Sequence, residues 1–122
     1  MLDITDQQFH ELINLGLESL PGEHVKNIQN VAILLEDQPT PAQRTTLALR
    51  HDQTLLGLYE GVPLSQRQGR EPTFPDRITL FKLPLLNRAE TLQQLQEEIR
   101  HTLWHEIGHY YGLDHTRIHE LE

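Results

Sequence analysis

The chain contains no cysteine and only one methionine, Met1. It can therefore form no disulfide, no thiolate zinc site and no cysteine nucleophile, so any metal must be bound by histidine or carboxylate side chains. No apolar run is long enough to cross a bilayer. The start, MLDITDQQFHELINLGLESL, also lacks the basic and apolar regions of a signal peptide. These absences predict a cytoplasmic protein that does not bind membranes.

Positive charge is scarce as well: the chain has 10 lysines and arginines and 18 acidic residues, which gives a formal net charge of -8. The acidic residues are spread along the chain, which argues against a phosphate-binding surface and predicts no nucleic-acid partner. A length of 122 residues with 37% hydrophobic content suits one domain, so residues 1–122 are predicted to form a single unit. Nothing in the composition indicates an oligomeric state. Histidine, in contrast, is abundant: five of the eight fall within the last 22 residues.

The apolar pattern predicts an α+β fold. An amphipathic helix is expected from about Asp6 to Ser19, begun by a capping box of Thr5 and Gln8 and ended by Pro21-Gly22. Three short apolar segments favour strands in a small sheet, and the first of them is expected to be largely buried. They are VAILLED (31–37), LLGLYEG (55–61) and ITLFKLP (78–84), with a loop rich in glycine, proline and polar residues between the second and the third.

A long second helix is predicted after the strands. Asn87 and Glu90 are placed as its N-cap and N3 partner, and the helix is expected to run to about Tyr111 and to stop at Gly112. Its apolar stripe indicates one face packed on the sheet. The stripe consists of Leu92, Leu95, Ile99, Leu103, Ile107 and Tyr110.

His105 and His109 lie four residues apart on this helix, to one side of the apolar stripe. That spacing separates them by about 40° around the axis and about 6 Å along it, so their imidazoles can share one metal ion. Glu106 follows His105 directly, where its carboxylate can reach a metal-activated water without being a ligand. The sequence thus predicts a zinc site on one face of the helix with Glu106 as general base.

A catalytic zinc site needs a third protein ligand. Gly112 allows the chain to leave the helix through a left-handed turn, after which His115 can return to the same ion. His101 is the alternative, but His101, His105 and His109 span about 12 Å of helix axis, too far for one ion. His115 is therefore the predicted third ligand, and His101 is predicted to line the cleft or to contact a ligand without binding the ion. Three imidazoles also suit nickel, copper or iron.

The complete pattern HEIGHYYGLDH, from His105 to His115, is the HExxHxxGxxH signature of the metzincin clan of zinc proteases. The wider chain resembles the minimal zincins, a family of small bacterial metallopeptidases, through VAILLEDQP, LLGLYEGVPL, PDRITLF and LWHEIGHYYGLDH. The resemblance implies one zinc ion and a short mixed sheet packed on the active-site helix. The third ligand of that family is often aspartate, where this chain has His115. Only seven residues follow His115, so no Met-turn is expected.

Two functions fit these features. The first is a zinc peptidase that hydrolyses a peptide or protein substrate, with Glu106 moving the proton and an edge strand, LLGLYEG or ITLFKLP, pairing with the substrate. Tyr59, Tyr110 or Tyr111 is a candidate to stabilise the oxyanion, and Asp114 to orient His115. The second is a binding or regulatory domain that zinc only stabilises. Glu106 argues against this function, because a structural zinc site has no use for a carboxylate that is not a ligand.

Overall fold

The first helix forms where its capping residues and apolar spacing predict it. The computed structural model describes residues 2–22, 31–61 and 76–112, and helix α1 spans Asp6–Ser19. The Thr5 hydroxyl accepts the Gln8 N–H at 3.1 Å, while the Gln8 side-chain oxygen accepts the Thr5 N–H at 2.9 Å. This confirms the predicted capping box.

Three strands form one mixed sheet: β1 (Val31–Glu36), β2 (Gly57–Glu60) and β3 (Asp76–Phe81). The order across the sheet is β1-β3-β2, with β3 parallel to β1 and antiparallel to β2. Because β3 is paired on both sides, it is the central strand, and Ile78 and Leu80 are completely buried. The sheet confirms the predicted α+β class with three strands and a long helix.

Two details of the predicted strands are wrong. The sequence predicts a largely buried β1, yet its residues are half-buried or exposed because it pairs only with β3 among the described elements. The third strand ends at Phe81, and Lys82–Asn87 form a short helix, α3, instead of continuing the strand. Pro84 lies at the third position of α3, where a missing backbone N–H costs no helical hydrogen bond.

A further short helix, α2 (Pro41–Thr46), follows β1 and was not predicted. Thr40 and Gln43 form its capping box, and proline stands at its first position. Both are ordinary signals of a helix start. The helix itself buries no residue, so it lacks the apolar periodicity on which the prediction relied.

The long helix α4 spans Leu92–Tyr110 and begins later than predicted. Thr91 is the N-cap, and its capping-box partner is Gln94; Asn87 instead ends α3. The predicted end is confirmed, because Tyr111 is the C-cap and Gly112 adopts a φ of 81°. Leu92, at the first turn, is 52% exposed and does not belong to the buried stripe.

The core lies between the sheet on one side and α1 and α4 on the other. It is built from apolar side chains of α1, β3, α3 and α4, which include Phe9, Leu12, Ile13, Ile78, Leu80, Leu85, Leu86, Leu95, Ile99, Leu103 and Ile107. Burial of this stripe fixes the rotation of α4, and with it the direction of the residues beside the stripe. Among the described helices, none has the length and apolar character needed to cross a bilayer.

Candidate metal centre

The last two turns of α4 bring three potential metal ligands together. One ligand atom each from His105, Glu106 and His109 lies within 4.8 Å of the other two. The rotation of α4 produces this grouping, because Leu103 and Ile107 are buried in the core and the two histidines lie half-buried to one side. The structure therefore has the histidine pair that the spacing predicts.

The geometry of the two imidazoles suits a shared ion. The Nε2 atoms of His105 and His109 are 3.1 Å apart, and the ring centroids are 4.8 Å apart at an interplanar angle of 78°. Two nitrogens bound to one tetrahedral zinc at 2.0–2.1 Å are about 3.3 Å apart. The pair therefore fits a zinc ion with only a small adjustment of the rings.

Glu106 is the buried member of the group, with 7% of its surface exposed. Its Oε1 atom accepts the backbone N–H of Tyr59, on β2, at 3.1 Å. Burial raises the pKa of this carboxyl to about 7, although the hydrogen bond from Tyr59 acts in the opposite direction. A general base works best with a pKa near the working pH, and burial moves the pKa of Glu106 in that direction.

Glu106 reaches β2 because Gly57 carries no side chain. A Cβ atom at Gly57 would lie 2.6 Å from Thr102 Cγ2 and 3.3 Å from Glu106 Cγ. Thr102 is one turn before Glu106 on the same face of α4 and is also buried. The close approach of helix and strand at Gly57 therefore sets the distance between Glu106 and the sheet.

Gly57→Ala is accordingly expected to destabilise the fold by about 1–3 kcal/mol, because the added methyl group overpacks the contact between α4 and β2. The matched control is Gly22→Ala, since a Cβ at Gly22 meets nothing within 4 Å. Urea unfolding of both variants measures the difference. An unchanged midpoint for Gly57→Ala would show that the helix and strand are not held together at this point.

The remaining predicted site residues have different outcomes. His115, and also Asp114, lie outside the described residues. His101 is exposed and is not part of the ligand group of the described residues, and its predicted place in the cleft stays a prediction. Gly112 has a positive φ, as required for the left-handed turn by which the chain is predicted to leave the helix before His115.

The three tyrosines proposed for the oxyanion differ in their surroundings. Tyr110 is 1% exposed and packs edge-on against Tyr59, with ring centroids 6.2 Å apart. The Tyr59 hydroxyl donates to Asp76 Oδ2 at 2.5 Å, so its proton is held by that carboxylate. Burial, and the neighbouring Tyr110, raise the pKa of the half-buried Tyr111 phenol. The raised pKa keeps the Tyr111 phenol protonated at neutral pH.

Sequence reasoning missed Gly57, the Tyr59 amide and Asp76. A glycine inside a predicted strand is a known sign that another backbone or a ligand approaches closely, so Gly57 could have been found. The Tyr59 amide carries no sequence signal, because every residue except proline has one. The sequence pattern places Asp76 at the end of the preceding loop, whereas it is the buried first residue of β3.

A mixed sheet packed on a long helix, with two histidines one turn apart and a glutamate between them, defines a zincin-like protein. The chain belongs to the zincin-like metallopeptidase family, which it matches over residues 28–122. This match confirms the resemblance seen in the sequence. No curated protein matches the chain significantly.

The fold is similar to that of a solved structure, a conserved hypothetical protein from Thermo thermophilus. The two chains are 23% identical and superpose with a TM-score of 0.58. The similarity covers 88% of this chain and 94% of the other. At this identity the similarity shows a shared fold.

Proposed function

We propose that this protein is a zinc-dependent peptidase in which His105, His109 and His115 hold one zinc ion and Glu106 is the general base. The observation that carries the proposal is the grouping of His105, Glu106 and His109 within 4.8 Å, in a chain of the zincin-like metallopeptidase family. Zinc in such a site supplies a Lewis acid that polarises the scissile carbonyl and brings the pKa of water near 7.

Glu106 has the properties that the proton transfer requires. Its carboxylate lies beside the two imidazoles, so it can take a proton from the attacking water and give it to the leaving amine nitrogen. The surrounding protein excludes solvent from most of this side chain, which keeps the proton from being lost to bulk water. A dication beside the carboxylate would lower its pKa below the value of about 7 set by burial, so the base would be ionised at neutral pH.

The topology supports one of the two candidate strands for substrate binding. ITLFKLP forms most of β3, which already pairs with β1 and β2, so it has no edge to offer. β2 pairs only with β3 among the described strands and lies next to Glu106. We therefore propose that an extended peptide substrate lies along the outer edge of β2, beside the Tyr59 N–H that is bonded to Glu106, with its scissile bond near the histidines.

A purely structural zinc site gives no role to Glu106. Burying an ionisable carboxyl that is not itself a ligand costs folding free energy, and a structural site normally uses a fourth protein ligand. The burial of Glu106 beside the histidine pair therefore supports the catalytic function over a domain that zinc only stabilises.

Cleavage of a peptide library tests the proposal. The zinc-loaded protein is expected to cleave a subset of peptides, and removal of zinc by a chelator should abolish cleavage until zinc is restored. Mass spectrometry of the products identifies the bonds that are cut. If the zinc-loaded protein cuts no peptide above the level of the chelated sample, the protein is not a peptidase.

A further inference from the structure

The amide of Tyr59 is the group that orients Glu106, and it belongs to a strand rather than to the helix that carries the glutamate. The N–H donates to Glu106 Oε1 over 3.1 Å. A backbone donor is unchanged by replacement of its own side chain, so its position depends on how the strand around it is held. The groups that hold β2 at Tyr59 therefore determine where the Glu106 carboxylate lies.

The Tyr59 side chain contacts both β3 and α4. Its hydroxyl donates to Asp76 Oδ2, at the start of β3, and its ring meets the ring of Tyr110 at an angle of 84°. Tyr110 lies on α4, one turn after Glu106. Tyr59 thus joins β2, β3 and α4 around the carboxylate that its own amide holds.

Asp76 is 1% exposed, which is rare for a carboxylate. Room for its side chain is left by Gly61, just after β2, where a Cβ atom would lie only 2.3 Å from Asp76 Oδ1. Gly61 has a φ of 152°, a conformation that other residues rarely adopt. The end of β2 is therefore shaped to receive the carboxylate that binds the Tyr59 hydroxyl.

We propose that Asp76 and Tyr59 are positioning residues, which fix the backbone amide of Tyr59 and through it hold Glu106 beside His105 and His109. In this proposal neither side chain takes part in the chemical step. The expected effect on catalysis rests on the proposed function of Glu106. The expected effect of Asp76 on the hydrogen bond between Tyr59 and Glu106 does not depend on that function.

Two substitutions weaken the link without removing a ring or a large volume. Asp76→Asn replaces the charged acceptor of the Tyr59 hydroxyl by a neutral amide, and Tyr59→Phe removes the donor but keeps the ring against Tyr110. Charge-assisted hydrogen bonds are about twice as strong as neutral ones, so both variants should loosen the strand at position 59. Small displacements of a reacting group lower the rate strongly. We expect kcat to fall about tenfold in each variant, with KM and zinc content unchanged.

The double variant distinguishes positioning from independent damage. If Asp76 and Tyr59 act through one hydrogen bond, combining the substitutions should lower kcat no further than either does alone. Asp6→Asn is the matched control, because Asp6 bonds to Lys82, just beyond the other end of β3, and should leave kcat unchanged. A tenfold loss in the control, or multiplied losses in the double variant, would overturn the proposal.

Hydrogen exchange of the amide at position 59, followed by NMR in the zinc-loaded protein, tests the link independently of any activity. In the unmodified protein this amide should exchange slowly, and in both variants at least about tenfold faster. The exchange rate of the amide of the buried Leu80 on β3 reports global unfolding and should be the same in all three proteins.

If Asp76→Asn fails to fold, the exchange rate in the milder variant Tyr59→Phe tests the proposal. Unchanged exchange at position 59, or fast exchange in the unmodified protein, contradicts the proposal even if peptidase activity is found. If the protein proves to be no peptidase, exchange alone decides whether the link exists.

Discussion

Glu106→Gln is expected to lower kcat for peptide hydrolysis by about 10²- to 10⁴-fold, the usual contribution of a general acid–base group. Glutamine has nearly the same shape and can still accept the Tyr59 N–H through its carbonyl oxygen. It cannot accept the proton of the attacking water. Zinc content should stay the same because Glu106 is not a ligand in the proposed site. Steady-state kinetics on a cleaved peptide, together with metal analysis, measure both quantities.

The fold of this variant can be checked through its pH dependence. A pKa raised from 4.5 to about 7 means that folded Glu106 holds its proton more tightly than the unfolded chain does. The stability of the metal-free protein should therefore fall as the pH rises between these values. The glutamine that replaces Glu106 has no charge to bury, so the metal-free variant should be at least as stable as the parent at about pH 8. Hydrolysis that persists in a folded Glu106→Gln variant would remove Glu106 from the mechanism.

His109→Ala is expected to abolish tight zinc binding. Two protein ligands would remain of the three that a catalytic zinc site requires. Zinc content after dialysis should fall from about one ion per chain to almost none, and the rise in melting temperature on addition of zinc should disappear, because that rise reflects binding to the folded state. Inductively coupled plasma mass spectrometry and thermal unfolding give the two readouts.

His101→Ala is the matched control for this experiment. His101 lies one turn before His105 on the same helix but is exposed and outside the ligand group, so its replacement should leave zinc binding intact. His115→Ala should lose zinc as His109→Ala does. Retention of zinc by His109→Ala, or its loss from His101→Ala, would show that the ligands are not the ones proposed.

Much of the fold follows from periodicity and caps. α1 forms where predicted because the capping box at Thr5 defines its start and the apolar residues Phe9, Leu12 and Ile13 define its buried face. The His105 and His109 pair follows from helical spacing, and the burial of Leu103 and Ile107 fixes the side of α4 on which the two histidines lie.

What could not be predicted depends on contacts between distant segments. The apolar run through Phe81 and Leu83 reads equally well as a strand or as the start of a helix, and tertiary packing decides for α3. The 3.1 Å bond from Tyr59 to Glu106 joins residues 47 positions apart, and the buried Asp76 reaches Tyr59 only through the pairing of β2 with β3. A single sequence carries no local sign of such contacts.

The coordination of zinc in a crystal structure of the metal-loaded protein tests the central claim most directly. We predict that the imidazole nitrogens of His105, His109 and His115 lie about 2.0–2.1 Å from one ion. A water molecule should occupy the fourth position, within hydrogen-bonding distance of the Glu106 carboxylate. A fourth protein side chain on the ion would close the site and contradict the peptidase proposal, and an ion bound without His109 would contradict the site itself.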